Sequence, residues 1–284
     1  MKICLRCGRR FESTGWECPA CRFVPEKIDG YFAFAPDLSE ASEGYRPELF
    51  EKRYRVEKGN FWFRSRNRLI TWAIGKYFPS AESLMEIGCG TGFVLSGIER
   101  EIPRLQLYGS EIYSVGLGFA GSRLKGAELF QMDARSIPFE KEFDVIGAFD
   151  VLEHIKDDEK VFSQIHMALK VGGGVILTVP QHPFLWSGVD EYARHVRRYT
   201  ARELREKVER AGFTVKRMTS FVSLLLPLVV ASRSWKKDEK KAELEVSGLM
   251  NGVFEKVLGL ERVLIRSGLS LPAGSSLLLV AEKD

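Results

Sequence analysis

Four cysteines near the start of the chain have the spacing of a metal site. Cys4-x-x-Cys7 and Cys18-x-x-Cys21 are two thiol pairs joined by ten residues. A two-residue spacer lets both sulfurs of a turn face one ion, and Zn²⁺ accepts four thiolates in a tetrahedron. Because so short a segment cannot build a core alone, we expect structural zinc to stabilise a ribbon over residues 1–30. Its role, as a brace or as a recognition module, stays open at this point.

A glycine-rich loop lies between a β-type run and a helical one, with the sequence Glu86-Ile87-Gly88-Cys89-Gly90-Thr91-Gly92. Glycines there let the backbone approach a ligand where a Cβ would clash. A dinucleotide-binding loop has its third glycine one residue later, where this chain has Phe93, so a nicotinamide oxidoreductase is disfavoured. Two acids follow in order. Glu111 ends the next strand and suits two ribose hydroxyls, and Asp133, beside Ala134 and after a further strand, suits an adenine amino group.

With two further motifs, Asp150-Val151-Leu152-Glu153-His154-Ile155 and Gly172-Gly173-Gly174, this pattern resembles the class I S-adenosylmethionine-dependent methyltransferases. The closer resemblance is to the small-molecule, methyltransferase type 11/12-like branch, over residues 83–213 and a terminal strand pair. It implies S-adenosylmethionine as cofactor, with Glu86 near its amino acid end and with Asp150 and Leu152 along its methionine side. It also implies a seven-stranded, mostly parallel sheet with an antiparallel last strand, and Cys89 as a small residue of the loop.

A loop rich in His, Asp, Arg and Trp, residues 180–199, follows the fifth predicted strand, at the sheet edge where open α/β folds bind ligands. We predict His195 and His182 as candidate general bases, with Asp190 as the group that orients the imidazole. The alternative is that these histidines are hydrogen-bonded braces. The arginines of this loop are candidates for binding phosphate or carboxylate on a substrate: Arg194, Arg197 and Arg198.

Alternating strand and helix patterns predict an α/β fold: a Rossmann-like seven-stranded methyltransferase sheet with helices on both faces, plus the small zinc ribbon. The predicted strands are Leu84–Ile87, Gln106–Ser110, Phe143–Phe149, Val175–Val179, Thr214–Ser220 and Ser276–Glu282, with one more before Met132. The predicted organisation is a ribbon over 1–30, a linker and N-terminal helices over 31–82, and a methyltransferase domain over 83–284. The linker spans residues 31–48.

The predicted N-terminal helices, Leu49 to Tyr77 with a break near Gly59, are unusually basic. Between Lys52 and Arg68 there are seven lysines or arginines against one acid, Glu57, and aromatic residues lie among them. Aromatic rings beside arginines stack on nucleic-acid bases or cap a cofactor cleft. A third interpretation is a helix that packs its rings on the core, and the sequence does not separate the three.

An insertion of about fifty residues, 221–273, separates the last two predicted strands. It begins with an apolar run, Phe221 to Ala231, which is followed by Trp235 and several lysines. We predict a lid over an apolar acceptor. The alternatives are peripheral membrane contact through residues 221–241, because Trp and lysines flank interfacial helices, and a dimer face.

Composition narrows the class of protein. The chain has 284 residues, 42 lysines and arginines against 38 acids, and a net charge of +4, which is no nucleic-acid signature by itself. No apolar segment approaches the roughly 20 residues of a spanning helix, and the start has no export signal, so we predict a cytoplasmic protein with reduced thiols. The predicted function is methyl transfer to a small-molecule or lipid-like acceptor. RNA methylation with the zinc ribbon as docking module, and a non-catalytic cofactor-binding scaffold, are the alternatives.

Overall fold

The structure is a computed structural model that describes residues 1–40, 46–235 and 246–284. Within these residues eleven strands form a two-stranded ribbon and a nine-stranded sheet. The ribbon consists of β1 (Lys2–Ile3) and β2 (Arg10–Phe11). The sheet consists of β3 (Lys27–Ile28), β4 (Tyr31–Ala33), β5 (Ser83–Ile87), β6 (Gln106–Glu111), β7 (Glu128–Gln131), β8 (Phe143–Phe149), β9 (Leu169–Pro180), β10 (Phe213–Phe221) and β11 (Ser276–Lys283).

The order across the sheet is β10-β11-β9-β8-β5-β6-β7-β4-β3. The six strands from β9 to β4 are parallel, and β11 lies antiparallel between β9 and β10. This confirms the predicted α/β sheet with its terminal antiparallel pair. Strands β8 and β11 are apolar and buried along almost their whole length, as a sheet covered on both faces requires.

The sheet is two strands wider than predicted. Residues 31–48 are not simply a linker, because Tyr31–Ala33 pairs with β7 in parallel and Lys27–Ile28 pairs with it in turn. A ring cluster joins this edge to the cysteine-bearing head, since the Trp16 ring centroid lies 4.4 Å from that of Phe34 and 5.4 Å from that of Phe139. The head is therefore packed against the sheet.

Helices cover both faces of the sheet, as predicted. The helices of the described residues are α1 (Leu49–Val56), α2 (Phe61–Tyr77), α3 (Phe93–Glu101), α4 (Ser114–Arg123), α5 (Asp158–Ala168), α6 (Gly188–Tyr192), α7 (Ala201–Arg210), α8 (Leu226–Trp235) and α9 (Gly248–Arg266). One apolar core joins the sheet to α5, α7 and the head. A second core on the opposite face joins it to α2, α3, α4 and α9.

Local sequence explains where the helices begin. The Asn60 side chain accepts a hydrogen bond from the Trp62 amide at 2.9 Å, which caps α2 after the predicted break. The Thr200 hydroxyl accepts one from the Glu203 amide at 3.1 Å and caps α7. A complete capping box, with hydrogen bonds in both directions between Ser187 and Asp190, begins α6.

The lid predicted for the insertion at 221–273 stays a prediction. Its helix α9 packs on α2 through Leu258 and Ile265, and none of its described residues lines the large cavity below. The lysines of the proposed membrane contact, Lys236 to Lys241, lie outside the described residues. Among the helices that are described, none has the length and apolarity to cross a bilayer.

Candidate functional site

A cavity of about 730 Å³ opens at the carboxyl ends of the central parallel strands. Its wall is formed by the residues that directly follow four neighbouring strands, β5, β6, β7 and β8. Open α/β sheets bind ligands at this edge, where the strand order reverses. The cavity lining includes eight of the ten predicted cofactor residues: Glu86, Gly88, Cys89, Gly90, Glu111, Asp133, Ala134 and Asp150.

The glycine loop has backbone geometry that favours glycine. Gly88 has φ of 65°, and a Cβ there would lie 2.5 Å from the Val151 side chain. Gly90 has φ of 54°, and its missing side chain leaves the cavity open beneath the Phe50 ring. Gly92 does not line the cavity and instead allows close packing on Ala120. Burial raises the pKa of the Cys89 thiol, in keeping with a small loop residue and not a nucleophile.

The Glu111 carboxylate is held at the cavity wall by backbone amides. Oε2 accepts from the Gly90 amide at 3.0 Å, and Oε1 accepts from the amides of Ile112 at 2.8 Å and Tyr113 at 3.3 Å. Burial raises its pKa, and these hydrogen bonds act in the opposite direction. The glycine loop and the predicted ribose acid are thus one hydrogen-bonded unit.

A buried arginine from α2 lines the cavity and pairs with one of the predicted cofactor residues. Arg66 forms an ion pair with Asp150, and its guanidinium lies 4.5 Å from the Trp62 ring centroid. Burial lowers the pKa of Arg66 to about 10, so it stays charged at neutral pH. Burial also raises the pKa of Glu86 well above its usual range, although the charge of Arg66 opposes this rise. Arg66 thus pairs with Asp150, and its charge also acts to lower the pKa of Glu86.

We expect Arg66→Met to cost about 3–5 kcal/mol of unfolding free energy, because it leaves the Asp150 carboxylate buried without its cation. Urea titration followed by circular dichroism measures this loss. The matched control is Arg64→Met on the same helix, whose ion pair with Glu255 is more exposed. The control should lose about 1 kcal/mol or less. Equal losses in the two variants would contradict the role assigned to Arg66.

Asp133 and Leu152 differ in whether they reach the cavity. Asp133 lines it, and both of its carboxylate oxygens accept hydrogen bonds from the Arg135 side chain, at 2.8–3.0 Å. Leu152 is fully buried in the apolar core and does not line the cavity. Its contribution is to anchor the short 3-10 turn Leu152–His154.

The N-terminal helices cover the cavity, which sequence reasoning left undecided. They contribute the lining residues Phe50, Arg53, Glu57, Phe63 and Arg66. The buried carboxylate of Glu57 accepts from the Thr91 hydroxyl at 2.6 and 2.8 Å and from Arg123 at 2.8 Å. The alternation of aromatic and basic residues was the signal for this cap.

Ion pairs within the chain engage most of the cations in the basic stretch between Lys52 and Arg68. Four of its cations pair with carboxylates of this chain: Arg55 with Glu51 on the surface of α1, Arg64 and Arg68 with Glu255, and Arg66 with Asp150. A cation already paired with a carboxylate has less charge to offer a phosphate backbone.

The predicted orienting acid lies at the centre of a buried network. The Asp190 carboxylate is 2.9 Å from His195 Nδ1, 2.7 Å from Arg198 Nε and 2.8 Å from an Arg233 nitrogen on α8. Burial acts to raise the pKa of Asp190, but the hydrogen bond from His195 and the two arginine charges lower it below its usual range. Asp190 is therefore an anion that ties the loop to the insertion.

The predicted bases do not line the cavity themselves. His195 lies behind His154, with the ring centroids 4.8 Å apart, and it is His154 that contacts the cavity. His182 stacks near Phe184 with centroids 5.0 Å apart, and burial lowers its pKa. His154 lies in the motif that follows β8, and the sequence alone predicts no separate role for it. The structure brings His195 and Asp190 together and keeps His182 apart.

The loop arginines predicted to bind an anionic substrate are largely engaged. Arg197 pairs with Asp158 at 2.7 Å, and Arg198 pairs with Asp190 and donates to the Gln181 carbonyl at 3.0 Å. Lys156 and Arg53 are the cations that line the cavity together with Arg66 and Arg135.

The four head cysteines converge on one point. Their sulfurs all lie within 4.8 Å of one another, with Cys4 and Cys21 separated by 3.6 Å and Cys7 and Cys18 by 3.7 Å. Backbone amides donating to the Cys18 sulfur, that of Cys21 foremost, lower its pKa to about 6. Four sulfurs at these distances fit a tetrahedral metal ion, since Zn–S bonds of about 2.3 Å place neighbouring sulfurs roughly 3.8 Å apart.

Comparison with known proteins decides the family. A family model described as a methyltransferase domain matches residues 53–217, more than half of the chain. The chain belongs to this methyltransferase family. The matched segment of the methyltransferase begins inside α1 and includes the second half of that helix and all of α2.

Curated relatives match parts of this methyltransferase. One named a probable S-adenosylmethionine-dependent methyltransferase, from Mycolicibacterium smegmatis, is 25% identical over 162 residues, 55% of this chain and 61% of its own length. Phosphoethanolamine N-methyltransferase 2 of Caenorhabditis elegans is 32% identical over 108 residues, 36% of this chain and 24% of its own length. The methyltransferase thus spans less than two thirds of each of these relatives.

A solved structure shares the fold. It is a Haemonchus contortus phosphoethanolamine N-methyltransferase 2 in complex with phosphomonomethylethanolamine and S-adenosylhomocysteine. The TM-score is 0.51 at 21% sequence identity, and the alignment covers 75% of this methyltransferase and 52% of that chain.

Proposed function

We propose that this protein transfers a methyl group from S-adenosylmethionine to a small-molecule acceptor bound in the same cavity. The observation that carries the proposal is the convergence of the glycine loop, Glu111 and Asp150 on one cavity at the switch point of the sheet. Bound S-adenosylmethionine supplies an activated methyl group on a sulfonium, and the protein has to position an acceptor for in-line displacement.

The proposed cofactor contacts follow from the geometry of the wall. Gly88 and Gly90 permit close approach of the ligand to the backbone, and Glu111 is positioned to accept hydrogen bonds from ribose hydroxyls. Glu86 and Asp150 provide carboxyl groups, and Arg66 provides a positive charge, for the amino and carboxyl groups of the cofactor's methionine end. Asp133 has a supporting role, because Arg135 engages both of its oxygens.

The rest of the cavity supports a small acceptor. Arg53, His154, Lys156 and Val196 line it in addition to the proposed cofactor contacts. A cavity of about 730 Å³ is in the size range of small-molecule sites, and the cap of α1 and α2 encloses it. Cationic lining is compatible with an anionic or phosphate-bearing acceptor, and the C. elegans relative is named for phosphoethanolamine. A lipid-like acceptor is the alternative. It has less support, because the apolar insertion on which that prediction was based contributes no described residue to the cavity lining.

We further propose that the four cysteines bind structural Zn²⁺ and that the head braces the sheet. Trp16 packs against Phe34 and Phe139, and the chain that leaves the head continues into β3 and β4. A module used for docking RNA would not need this packing. Closed four-thiolate sites are chemically inert, so the metal has no part in the methyl transfer itself.

The experiment incubates the purified protein with methyl-labelled S-adenosylmethionine and cell extract, and then divides the label among small aqueous, organic-soluble, RNA and protein fractions. We expect label in the small aqueous or organic-soluble fraction. Glu111→Ala is the control that removes a proposed cofactor contact, and it should abolish that labelling. Label that enters RNA alone would replace the proposal by RNA methylation, and absence of label from every fraction would favour the scaffold.

A further inference from the structure

Three metal-binding side chains converge beside the cavity, outside the cysteine cluster. Glu153, His154 and His195 each offer one ligand atom, and these atoms lie within 4.8 Å of one another. Their elements differ, since Glu153 and His154 belong to the 3-10 turn after β8 and His195 comes from the loop after α6. His154 lines the cavity and the Glu153 side chain is 1% exposed, so the group extends from the cavity wall into the interior.

Asp190 fixes the imidazole of His195 in one orientation. The Asp190 carboxylate accepts the Nδ1 proton at 2.9 Å, which leaves Nε2 directed toward Glu153 Oε1 at 3.9 Å. A carboxylate bound to the far nitrogen of a histidine is the usual support of a metal-bound imidazole. Arg198 and Arg233 in turn hold Asp190, so the support is itself rigid.

Glu153 carries a buried oxygen that the protein leaves unsatisfied. Among the described residues, Oε2 has no hydrogen-bond partner, although its side chain is almost fully buried. The distance of 3.9 Å between Oε1 and His195 Nε2 is too long for a hydrogen bond. A buried carboxyl group with an oxygen that lacks a hydrogen bond costs free energy, and a cation bound between this carboxyl group and the two imidazoles would recover it.

We infer that Glu153, His154 and His195 bind a divalent first-row transition-metal ion at the inner wall of the cavity. Two imidazoles and one carboxylate make up the ligand set that such ions accept while keeping coordination positions open. The positive charges of Arg66 and Arg198 nearby are balanced by Asp150 and Asp190. In this arrangement His195 is a ligand and not the general base that the sequence predicts.

The ion would also act on the acceptor, and this step rests on the proposed function. A hydroxyl of the acceptor bound at an open position would release its proton to water more readily, because a metal ion lowers the pKa of a bound hydroxyl. Its oxygen would then form the bond to the methyl carbon as the bond from that carbon to the sulfonium sulfur breaks. The acceptor would then be an oxygen nucleophile, or a compound with an oxygen near its nucleophilic atom.

The test is calorimetric titration of Co²⁺ into protein that holds one equivalent of Zn²⁺ per chain, bound at the four cysteines, with absorption spectra to detect any cobalt–thiolate bands from the head. We expect one Co²⁺ per chain without thiolate bands, and a loss of affinity of at least about tenfold in both Glu153→Gln and His195→Ala. The matched control is His182→Ala, a histidine of the same loop outside the cluster, which should bind as the unmodified protein does.

Two results would overturn the site: no Co²⁺ bound by the unmodified protein beyond the cysteine cluster, or equal affinity in Glu153→Gln. Thermal melts establish that each variant is folded. Co²⁺ binding without methyl transfer would refute the proposed function alone, and methyl transfer without Co²⁺ binding would refute the metal site alone.

Discussion

Glu111→Ala is expected to weaken binding of S-adenosylhomocysteine by at least about 100-fold, because two hydrogen bonds to a charged group contribute roughly 1.5–3 kcal/mol each. The same carboxylate holds the Gly90 amide, so its loss also loosens the loop that the cofactor approaches. Isothermal titration calorimetry of the folded variant measures the affinity. Glu111→Gln keeps the shape of the side chain and one acceptor oxygen. Its affinity for S-adenosylhomocysteine should lie between that of Glu111→Ala and that of the unmodified protein.

Glu99→Ala provides a matched control for this experiment. Glu99 also accepts hydrogen bonds from two backbone amides, those of Lys125 at 3.1 Å and Gly126 at 2.9 Å, but it does not line the cavity. Its loss should change stability to a comparable extent without changing affinity. If Glu111→Ala stays folded and binds S-adenosylhomocysteine unchanged, the assignment of the cavity to this cofactor is wrong.

Removal of zinc from the head is expected to lower the midpoint of thermal unfolding by about 10 °C. Without the ion the head lacks a core of its own, and the packing of Trp16 against the sheet is lost, which corresponds to about 3–5 kcal/mol. For a chain of this size each kcal/mol shifts the midpoint by roughly 2–4 °C. Cys18→Ser, at a fully buried ligand, should show the same loss of stability together with a zinc content lower by one ion per chain.

Two variants separate the brace from other roles of the head. Trp16→Ala should keep its zinc and still show most of the fall in thermal midpoint that zinc removal causes. The reason is that this variant removes only the contact of the head with the sheet. Cys89→Ser should keep its zinc, since this cysteine lies outside the cluster. Metal-free protein with an unchanged midpoint would show that the head does not stabilise the sheet.

The features predicted well from sequence depend on order along the chain. Gly88, Gly90 and Glu111 are close in sequence to the ends of two strands that pair directly, so strand pairing brings them together without further information. The terminal antiparallel pair was visible because both strands are long and β11 is mostly apolar. Periodicity and motif spacing were enough for these elements.

The features missed depend on contacts between distant segments. Tyr31–Ala33 has only three residues, and its strand exists because β7 is available at the edge of the sheet. The apolar residues 221–273 predict a lid, while the sequence leaves open that α1 and α2 cover the cavity. His154 and His195 are forty-one residues apart, and a sequence pattern does not reveal which of two histidines faces a cavity.

The position of β11 has a consequence for how the chain folds during synthesis. This strand is the last of the described elements, yet it lies inside the sheet between β9 and β10. Strand β10 has no sheet partner among the described strands other than β11, so it has to wait for about fifty further residues before it can pair. Pairing at such separation is slow, because chain entropy is lost before contacts form. The edge of β9 that pairs with β11 therefore stays open to other chains until β11 has left the ribosome, and a chaperone that shields this edge would raise the yield of folded protein.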